Sequence, residues 1–377
     1  MRTIKEINEK IKKGKAVVLT AKEVKNLAEE KGTKEVYKKV DIVTTATFSP
    51  MCSSGIFLNF GHTKPPMKFQ KVYLDNVPAY GGLAAADIYL GATEISITDK
   101  KHGGSHVIYK LIKGEKIKLR AFGIPTDCYP RSEYETEFSI KDINQVYFFN
   151  PRNNYQNYNA AVNSSNKELK TYLGRISPHF GSMNFAGTGE ISPLINDPYL
   201  KTIGIGTKIF FGGGEGFIAW EGTQFNAKKE RNRKTGLPIG PGATLAIIAD
   251  LRNVKEEFIK PVYIPGYGVS IYISIGIPIP ILNEEIARYV SVRNKEIITN
   301  IEDYSKGEII GKISYKELIE RRVTFKGKKI PVRSLTKHAK AEEILKILKD
   351  KILSRHFFLT EPVKNLPIYG KFENFGG

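Results

Sequence analysis

The sequence is poor in cysteine: its 377 residues include only two, Cys52 and Cys128. Two cysteines are too few for a disulfide scaffold, and a reducing compartment would keep both as thiols. Thiols this rare call for a chemical explanation.

The sequence also lacks a long hydrophobic run. The longest, residues 269–282, is interrupted by Gly276, Pro278 and Pro280 and is too short and too broken to cross a bilayer. Residues 1–10 alternate charges with single isoleucines and have no continuous apolar segment of a secretory signal. We therefore expect a soluble, cytoplasmic protein.

Acidic residues are scarce relative to basic ones, with 39 Asp and Glu against 58 Lys and Arg, a net charge of +19. This charge favours anionic partners: nucleic acid, an acidic protein or a small carboxylate substrate. The lysines are scattered over predicted helices instead of being interleaved with aromatic residues, and no nucleic-acid-binding motif accompanies them. A solvated basic surface is therefore preferred to a nucleic-acid-binding site.

Nucleotide-binding and metal-binding patterns are missing as well. The glycine-rich segment 204–216 has no following Lys-Ser/Thr and opens no helix, so it predicts a tight hairpin, with a backbone nest for a carboxylate as the alternative. His102 and His106 are four residues apart, but Gly103 and Gly104 between them interrupt a helix. Two cysteines cannot hold a four-cysteine iron–sulfur cluster, and we expect no metal site.

The patterns that are present predict a mixed α/β (α+β) fold with a strand-rich core. Ile4, Ile7 and Ile11 recur at helical spacing, and Thr20 with Glu23 forms a capping box. Short β-like runs then follow to about residue 285: KVYLDNV, IYLGATEISIT, HVIYKLI, EKIKLRAFGIP, QVYFFN, TIGIGTKIFF, FIAWEGTQF, TLAIIADL and VSIYISIGIPI. They favour a mixed sheet with local helices over a regular alternation of strand and helix.

Two units are predicted along the chain. Residues 1–285 form the strand-rich catalytic core with its N-terminal helices, and residues 286–377 form a smaller α+β segment packed on it. The second unit contains a hairpin around Gly327 and a last helix with an apolar side made of Ile344, Leu345, Ile347, Leu348, Ile352 and Leu353.

Each cysteine lies in a loop with unusual neighbours. Cys52 is in FSPMCSSG, whose small residues permit close approach of a substrate and whose N–H groups could stabilise a thiolate, although a buried structural cysteine fits equally well. Cys128 is in GIPTDCYPR, where Arg131 would lower the thiol pKa and Asp127 would raise it. This charged, proline-bounded setting favours a functional cysteine.

Other candidate site residues lie in glycine- and proline-rich loops or near the predicted hairpin. His62 and His179 could serve acid–base or substrate contacts, and a structural histidine is an equal alternative for each. Glu215, Trp220 and Glu221 are further candidates, with Trp220 more typical of a core strand.

Five blocks of the sequence are similar to those of a known family. They are TFSPMCSSGIFLNFGHTKPP, PAYGGLAAADIYLGATE, GIPTDCYPR, ISPLINDPYLKTIGIGTKIFFGGGEGFIAWEGTQF and LTEPVKNLP. In content and order they resemble the archaeal L-aspartate semialdehyde sulfurtransferase family of homocysteine biosynthesis, over residues 3–368. Members often carry CBS domains after this region, and the form expected here has none.

The resemblance implies conversion of L-aspartate 4-semialdehyde to L-homocysteine through a cysteine persulfide. It implies a persulfide on Cys128 and a resolving or relaying role for Cys52, with the reverse assignment as the alternative. Converting aldehyde and sulfide to a thiol takes two electrons, and persulfide sulfur takes two more. A transient disulfide between the two cysteines could record one pair.

The remaining electrons require an external reductant. With no flavin or nicotinamide site visible and no cofactor expected on this chain, the resemblance implies a ferredoxin-like iron–sulfur partner protein. A homodimer is also considered. A sulfur carrier that holds a persulfide without acting on the aldehyde is the alternative function.

The predicted substrate needs three kinds of contact. The aldehyde oxygen needs a proton donor, for which His62, His179 and Tyr129 are candidates. Arg131 would bind the carboxylate. The ammonium group needs a carboxylate, supplied by one of three residues: Asp87, Asp197 or Glu221.

Overall fold

A large mixed β-sheet forms the body of the molecule in the computed structural model, which describes residues 1–321 and 323–367. Helices lie on and around this sheet, and a second, smaller sheet adjoins it. The arrangement confirms the predicted mixed α/β (α+β) class with a strand-rich core.

The helices found in the described residues are α1 Ile4–Lys12, α2 Ala21–Lys31, α3 Thr33–Lys39, α4 Gly104–Ile112, α5 Pro193–Asn196, α6 Glu284–Tyr289, α7 Tyr315–Glu320 and α8 His338–Leu353. Short 3-10 helices span Ile140–Asp142, Gly189–Ile191, Leu251–Asn253, Glu256–Phe258 and Asn294–Glu296.

The first half of the chain contributes strands β1 Val18–Thr20, β2 Ile42–Pro50, β3 Gly55–Asn59, β4 Lys71–Leu74, β5 Val77–Ala84, β6 Asp87–Gly91, β7 Ile117–Phe122, β8 Glu133–Phe138, β9 Gln145–Asn153, β10 Ala160–Val162, β11 Leu169–Thr171, β12 Gly174–Ile176 and β13 Met183–Phe185. The second half contributes β14 Gly204–Ile205, β15 Lys208–Phe211, β16 Gly214–Glu221, β17 Leu245–Asp250, β18 Ile259–Ile264, β19 Gly268–Pro280, β20 Ile298–Asp303, β21 Glu308–Ser314, β22 Val323–Phe325, β23 Lys328–Ile330, β24 Val332–Ser334 and β25 Lys364–Asn365.

The large sheet has the strand order β1-β2-β19-β15-β16-β17-β9-β3-β6-β5-β4-β7-β8, with β18 paired to β19. Except for the parallel pair β1 and β2, its neighbouring strands are antiparallel in the part of the chain described. Alternate residues therefore point to opposite faces, and the inner face carries the main core, including Ile56, Leu58, Phe148 and Ile247.

The other face of this sheet carries a band of apolar side chains. Register pairs join Tyr80 to Tyr89, Tyr89 to Phe57 and Phe57 to Tyr147, and a second row joins Phe149, Ile248 and Phe217. We call these seven residues the aromatic face. Tyr80 is 61% exposed and Phe217 41% exposed, so the band is open to solvent on the single chain.

The smaller sheet has the order β21-β20-β10-β13-β24 and therefore combines strands from both sides of residue 285. Its own core includes Val162, Phe185 and Ile301. The division into units 1–285 and 286–377 stays a prediction, and residues 368–377 of the second unit lie outside the described residues.

Several predicted local structures are confirmed. Ile4, Ile7 and Ile11 are buried along α1, and Thr20 caps α2 with the predicted partner Glu23. The glycine-rich hairpin joins β15 to β16, with Gly212 and Gly213 at positive φ in its turn. The second hairpin pairs β22 with β23 around Gly327, and Arg322, at the start of the predicted segment, lies outside the described residues.

The segment HVIYKLI is a helix, not the predicted strand. It lies in α4, where Val107, Ile108 and Leu111 are buried at helical spacing. As predicted, Gly103 and Gly104 keep His102 and His106 off a common helix, because α4 begins at Gly104 with Gly103 as its N-cap. They also allow the start of α4 to lie against strand backbone: a Cβ on Gly104 would meet the Gly91 carbonyl oxygen at 1.9 Å. The glycines therefore serve close packing.

The last helix, α8, packs on β1, β2 and β19 as predicted for a core-facing helix. Its buried residues are Ala341, Ile344, Leu345, Leu348 and Ile352, and burial of a large aliphatic side chain contributes about 1.5–3 kcal/mol. The apolar side of α8 is narrower than predicted, because Leu353 is 46% exposed. In the described part of the chain no helix is long and apolar enough to cross a membrane.

Candidate functional site

Cys52 lies in the tight turn between β2 and β3. The turn is held by Ser54, whose hydroxyl donates to the Met51 carbonyl at 2.6 Å, and Asn150 on the neighbouring β9 donates to the Ser54 hydroxyl at 2.9 Å. The Cys52 sulfur lies 3.1 Å from the hydroxyl oxygen of Ser270, a fully buried residue near the start of β19. The small residues of this turn therefore allow the Cys52 thiol to lie close to three strands of the sheet, β2, β9 and β19.

The half-buried Cys52 thiol lines a cavity of about 330 Å³. The polar side chains that share this cavity come mainly from the end of β9, from the segment after it and from the turn before β19: Arg152, Asn154, Tyr155, Tyr158 and Tyr267. No Asp or Glu is among its lining residues in the described part of the chain. The cavity therefore combines a thiol and a cation without an acidic side chain.

Arg152 is held next to the cysteine turn. Its Nη2 and Nε donate to the hydroxyl of Ser53 at 3.1 and 3.3 Å, one residue from Cys52. Among the residues described, the guanidinium forms no salt bridge with an acidic side chain. An arginine in this state can accept a carboxylate from a ligand.

Asn154 is another polar group in the cavity, and its amide lacks a protein partner. It is 6% exposed, adopts the left-handed backbone at φ 53°, and neither its amide nitrogen nor its amide oxygen has a hydrogen-bond partner. Buried amides are almost always hydrogen-bonded in folded proteins, so this side chain is suited to a bound molecule.

Tyrosine hydroxyls border the cavity on another side. Tyr158 and Tyr172 are hydrogen-bonded through their hydroxyls, and Tyr172 is bonded in turn to Tyr304 at 2.7 Å. Burial raises the pKa of Tyr267 to about 12, and the neighbouring Cys52 adds to this effect. Burial likewise raises the pKa of Tyr155 to about 12. Both phenols are therefore protonated donors at neutral pH.

Cys128 has a different environment. It is exposed in the loop between β7 and β8, with the hydroxyl of Thr126 at 3.6 Å. Around it lie three of the predicted site residues: Tyr129, Arg131 and His62. The rings of His62 and Tyr129 are 6.0 Å apart, and the Arg131 guanidinium donates to the Lys64 carbonyl at 2.6 Å.

The sheet topology separates the two cysteines. Cys52 precedes β3 and Cys128 follows β7, and the alternating antiparallel pairing makes these two strands run in the same direction. The cysteines consequently leave the sheet at opposite ends, across four interstrand steps, about 19 Å along the sheet. A disulfide requires Cα atoms within about 7 Å, so a Cys52–Cys128 bond requires a second copy of the chain or a large movement.

The remaining predicted residues lie apart from the cavity lining. Asp197 is buried and accepts from Thr202 N–H and Oγ at 2.7 and 2.8 Å, while burial raises its pKa. Asp87 accepts from Asn59, Glu221 ends β16, and His179 is exposed with φ 51°. Their roles stay predictions.

Sequence reasoning missed most of the cavity, above all Arg152, Asn154, Tyr155 and Tyr267, and it also missed Ser270, which contacts Cys52. One signal was present: residues 153–159, NNYQNYN, concentrate amides and tyrosines directly after the strand QVYFFN. Such a run is too polar for a core and too rich in aromatics for an ordinary solvated loop. Tyr267 and Ser270 gave no comparable signal, because only the fold brings them to Cys52. As for metals, no group of three His, Cys, Asp or Glu able to hold an ion occurs in the described ranges.

Comparison with known proteins places this chain among sulfur-handling enzymes. The sequence profile of the family described as "Homocysteine biosynthesis enzyme, sulfur-incorporation" matches residues 16–359. The chain is 43% identical to an L-aspartate semialdehyde sulfurtransferase of Methanocaldococcus jannaschii, over 99% of this chain and 74% of that protein. It is 41% identical to the L-aspartate semialdehyde sulfurtransferase of Methanosarcina acetivorans, over 97% of this chain and 72% of that protein.

A more distant relative has no assigned activity. It is an uncharacterized protein of Methanothermobacter thermautotrophicus, 27% identical over 84% of this chain and 72% of that protein. No solved structure matches the chain.

Proposed function

The chain belongs to the homocysteine biosynthesis enzyme family of sulfur-incorporating proteins, as its sequence blocks predicted, and on that premise we propose that it converts L-aspartate 4-semialdehyde to L-homocysteine. The observation that carries this proposal is the cavity in which the Cys52 thiol and an arginine without an acidic partner lie side by side. A small substrate that carries a carboxylate and an electrophilic carbon is the ligand that such a pair suits.

The two cysteines would divide the chemistry. Cys128 is exposed and can be reached by a protein or sulfide donor, which suits formation of a persulfide there. Cys52 lines the cavity and would meet the aldehyde. In the sequence-based hypothesis the Cys128 persulfide attacks the aldehyde itself; here its sulfur first passes to Cys52.

The proposed steps balance as follows. The Cys52 thiolate takes the outer sulfur of the Cys128 persulfide, which regenerates the Cys128 thiolate without net oxidation or reduction. The Cys52 persulfide then adds to the aldehyde carbon, and the carbonyl oxygen gains a proton. Two electrons and protons cleave the sulfur–sulfur bond, one water leaves, and two more electrons and protons reduce the resulting thiocarbonyl to the thiol.

Tyr267 is the proposed proton donor to the aldehyde oxygen. Its hydroxyl group lies beside Cys52, and with a pKa of about 12 it holds its proton at neutral pH. In this role it replaces the sequence-based candidates His62, His179 and Tyr129, which do not line the cavity.

The four electrons would come from a low-potential iron–sulfur protein of the ferredoxin-like kind. A chain of net charge +19 attracts an acidic donor at long range. We place the reaction in the cytoplasm, where reducing conditions keep Cys52 and Cys128 as thiols.

A homodimer could bring Cys52 of one chain close to Cys128 of the other, although the two cysteines are far apart within one chain. The aromatic face lies between the ends of the sheet at which Cys52 and Cys128 emerge. A contiguous band of seven apolar side chains that is open to solvent is typical of a protein association surface. Two copies packed through it about a two-fold axis that lies in the plane of the sheet and perpendicularly bisects the line between the two cysteines would exchange the two positions, so that Cys52 of one chain faces Cys128 of the other.

Complementation tests this arrangement. Cys52→Ser and Cys128→Ser chains are each expected to be inactive, whereas mixed dimers contain one intact pair and should recover a measurable part of wild-type activity. Persistent inactivity of mixed dimers, with dimerisation verified by sedimentation, would rule out transfer between chains.

The decisive assay for the function supplies purified chain with the semialdehyde, a sulfur donor and a reduced iron–sulfur protein. Homocysteine formed in proportion to enzyme supports catalysis. Added sulfur on a cysteine without any homocysteine would support the alternative, a sulfur carrier.

A further inference from the structure

The Cys52 cavity contains two polar side chains, the half-buried Arg152 and the buried Asn154, that the protein itself leaves without charged or amide partners. The Arg152 guanidinium is bonded to the Ser53 hydroxyl and interacts with the Tyr155 hydroxyl, and Asn154 has neither a donor nor an acceptor opposite its amide, within the residues described. An unpaired buried amide destabilises the folded protein, so its presence in a cavity wall indicates a ligand.

The two groups are complementary to one chemical unit. The head of an α-amino acid carries a carboxylate and an ammonium on the same carbon. A guanidinium binds the carboxylate, and a single amide can donate through Nδ2 to that carboxylate while it accepts from the ammonium through Oδ1. No other cation lines the cavity in the described ranges, and neither does an acid.

We infer that the Arg152–Asn154 pair is a recognition site for the head group of small L-α-amino acids and orients their side chain toward Cys52. This inference rests on the proposed function, for which it names the specificity-determining residues. Because Arg152 is anchored one residue from the thiol, a four-carbon amino acid bound there would bring its terminal carbon to the sulfur. Arg131 and Asp197, expected from the sequence to bind the head group, do not line this cavity.

The left-handed backbone conformation of Asn154 indicates that its side chain has a role other than permitting that conformation. Asparagine tolerates positive φ better than most residues, but glycine does so without side-chain cost. The neighbouring amide Gln156 is bonded through Nε2 to the Leu194 and Pro198 carbonyls at 2.7 and 3.0 Å and therefore serves the structure. Asn154 has no such duty, which leaves its amide for a ligand.

The test measures binding without turnover. L-Homoserine has the same head group and carbon chain as the semialdehyde but an unreactive alcohol. Its binding is read as protection of Cys52 from iodoacetamide, quantified by mass spectrometry, with the exposed Cys128 of the same molecule as the internal reference. We expect protection of Cys52 alone, and at least about tenfold weaker protection by 4-hydroxybutyrate and 3-aminopropanol, which each lack one charged group.

Two variants locate the site. Arg152→Met and Asn154→Gly should each raise the homoserine concentration for half-protection at least about tenfold, while an unchanged circular dichroism spectrum and thermal unfolding midpoint show that the fold is retained. The matched controls are Arg175→Met, at an exposed arginine of β12, and Asn76→Gly, at another asparagine with positive φ. In both controls homoserine should protect Cys52 as well as it does in the wild type.

Separate outcomes identify separate failures. Homoserine that fails to protect Cys52, or protection that Arg152→Met and Asn154→Gly leave unchanged, would overturn the inference. Specific protection by the L-amino acid without homocysteine formation in the assay above would keep the recognition site and reject the proposed reaction. If a variant misfolds, Arg152→Lys and Asn154→Asp provide the same comparison with smaller structural change.

Discussion

Cys52 and Cys128 are the same chemical group in two opposite settings. Cys52 is half-buried in a cavity with a serine hydroxyl at 3.1 Å and protonated tyrosines nearby, whereas Cys128 is exposed on a loop with only a threonine hydroxyl at 3.6 Å. The difference shows that surroundings, more than the sulfur itself, assign a thiol its task. A closed site can orient a small molecule, and an open loop can meet a large donor.

The largest effect is expected from Cys52→Ser. A serine hydroxyl is a far weaker nucleophile at neutral pH, so homocysteine formation should fall by on the order of 1,000-fold or more. The loss should persist when free sulfide replaces the protein sulfur donor. Activity within tenfold of wild type would show that the aldehyde is handled elsewhere.

Cys128→Ser should have a large effect that depends on the sulfur source. With a protein persulfide donor we expect a loss of about 100-fold or more, because the receiving thiol is gone. A high concentration of polysulfide, small enough to enter the cavity and load Cys52 directly, should restore much of the rate. An equal loss of activity with the protein donor and with polysulfide would contradict the proposed division of roles between the two cysteines.

Tyr267→Phe should reduce kcat by about 10- to 100-fold, since a positioned general acid contributes at least this much. Because the pKa of Tyr267 is raised to about 12, the phenol stays protonated and the ratio of wild-type to variant kcat should be constant from pH 7 to 10. The half-buried Tyr109→Phe on α4 is the matched control. A kcat of Tyr267→Phe equal to that of the wild type would show that the phenol is not the donor, whereas a ratio that falls across this pH window would show that the phenol ionises there.

Ser270→Ala should have the smallest effect. It removes one hydroxyl at 3.1 Å from the Cys52 sulfur, an interaction of about 1 kcal/mol that corresponds to a change of a few-fold in the rate of Cys52 alkylation. Thr126→Ala, the equivalent change at Cys128, should leave Cys52 unaffected. If either substitution changed the alkylation rates of Cys52 and Cys128 by a comparable factor, the two thiols would not have distinct local environments.

The sequence predicted the fold class and the local elements wherever a pattern had one physical meaning. The capping box of Thr20 and Glu23 and the turn at Gly212 and Gly213 are examples. It misassigned α4, because a short apolar run such as HVIYKLI fits a strand and a buried helix equally well.

The candidate site was predicted only in part, because its members are distant in sequence. Both cysteines stood out by their rarity, and the family blocks gave the chemistry. Arg152 and Tyr267, by contrast, are ordinary in their local sequence and become site residues only when β9 and β19 bring them to the turn of Cys52. The expected ligands near Cys128, Arg131 and Tyr129, were chosen by proximity in sequence, and the topology places them at the other end of the sheet.

The most direct test of the central claim, that the aldehyde is bound at Cys52 while Cys128 handles sulfur at the surface, is to trap the reaction without a reductant. The enzyme is incubated with a sulfur donor and the semialdehyde, quenched, and mapped by tandem mass spectrometry. The account predicts the substrate-derived mass on the peptide that contains Cys52 and sulfur alone on the peptide that contains Cys128. Substrate-derived mass on Cys128 would contradict it.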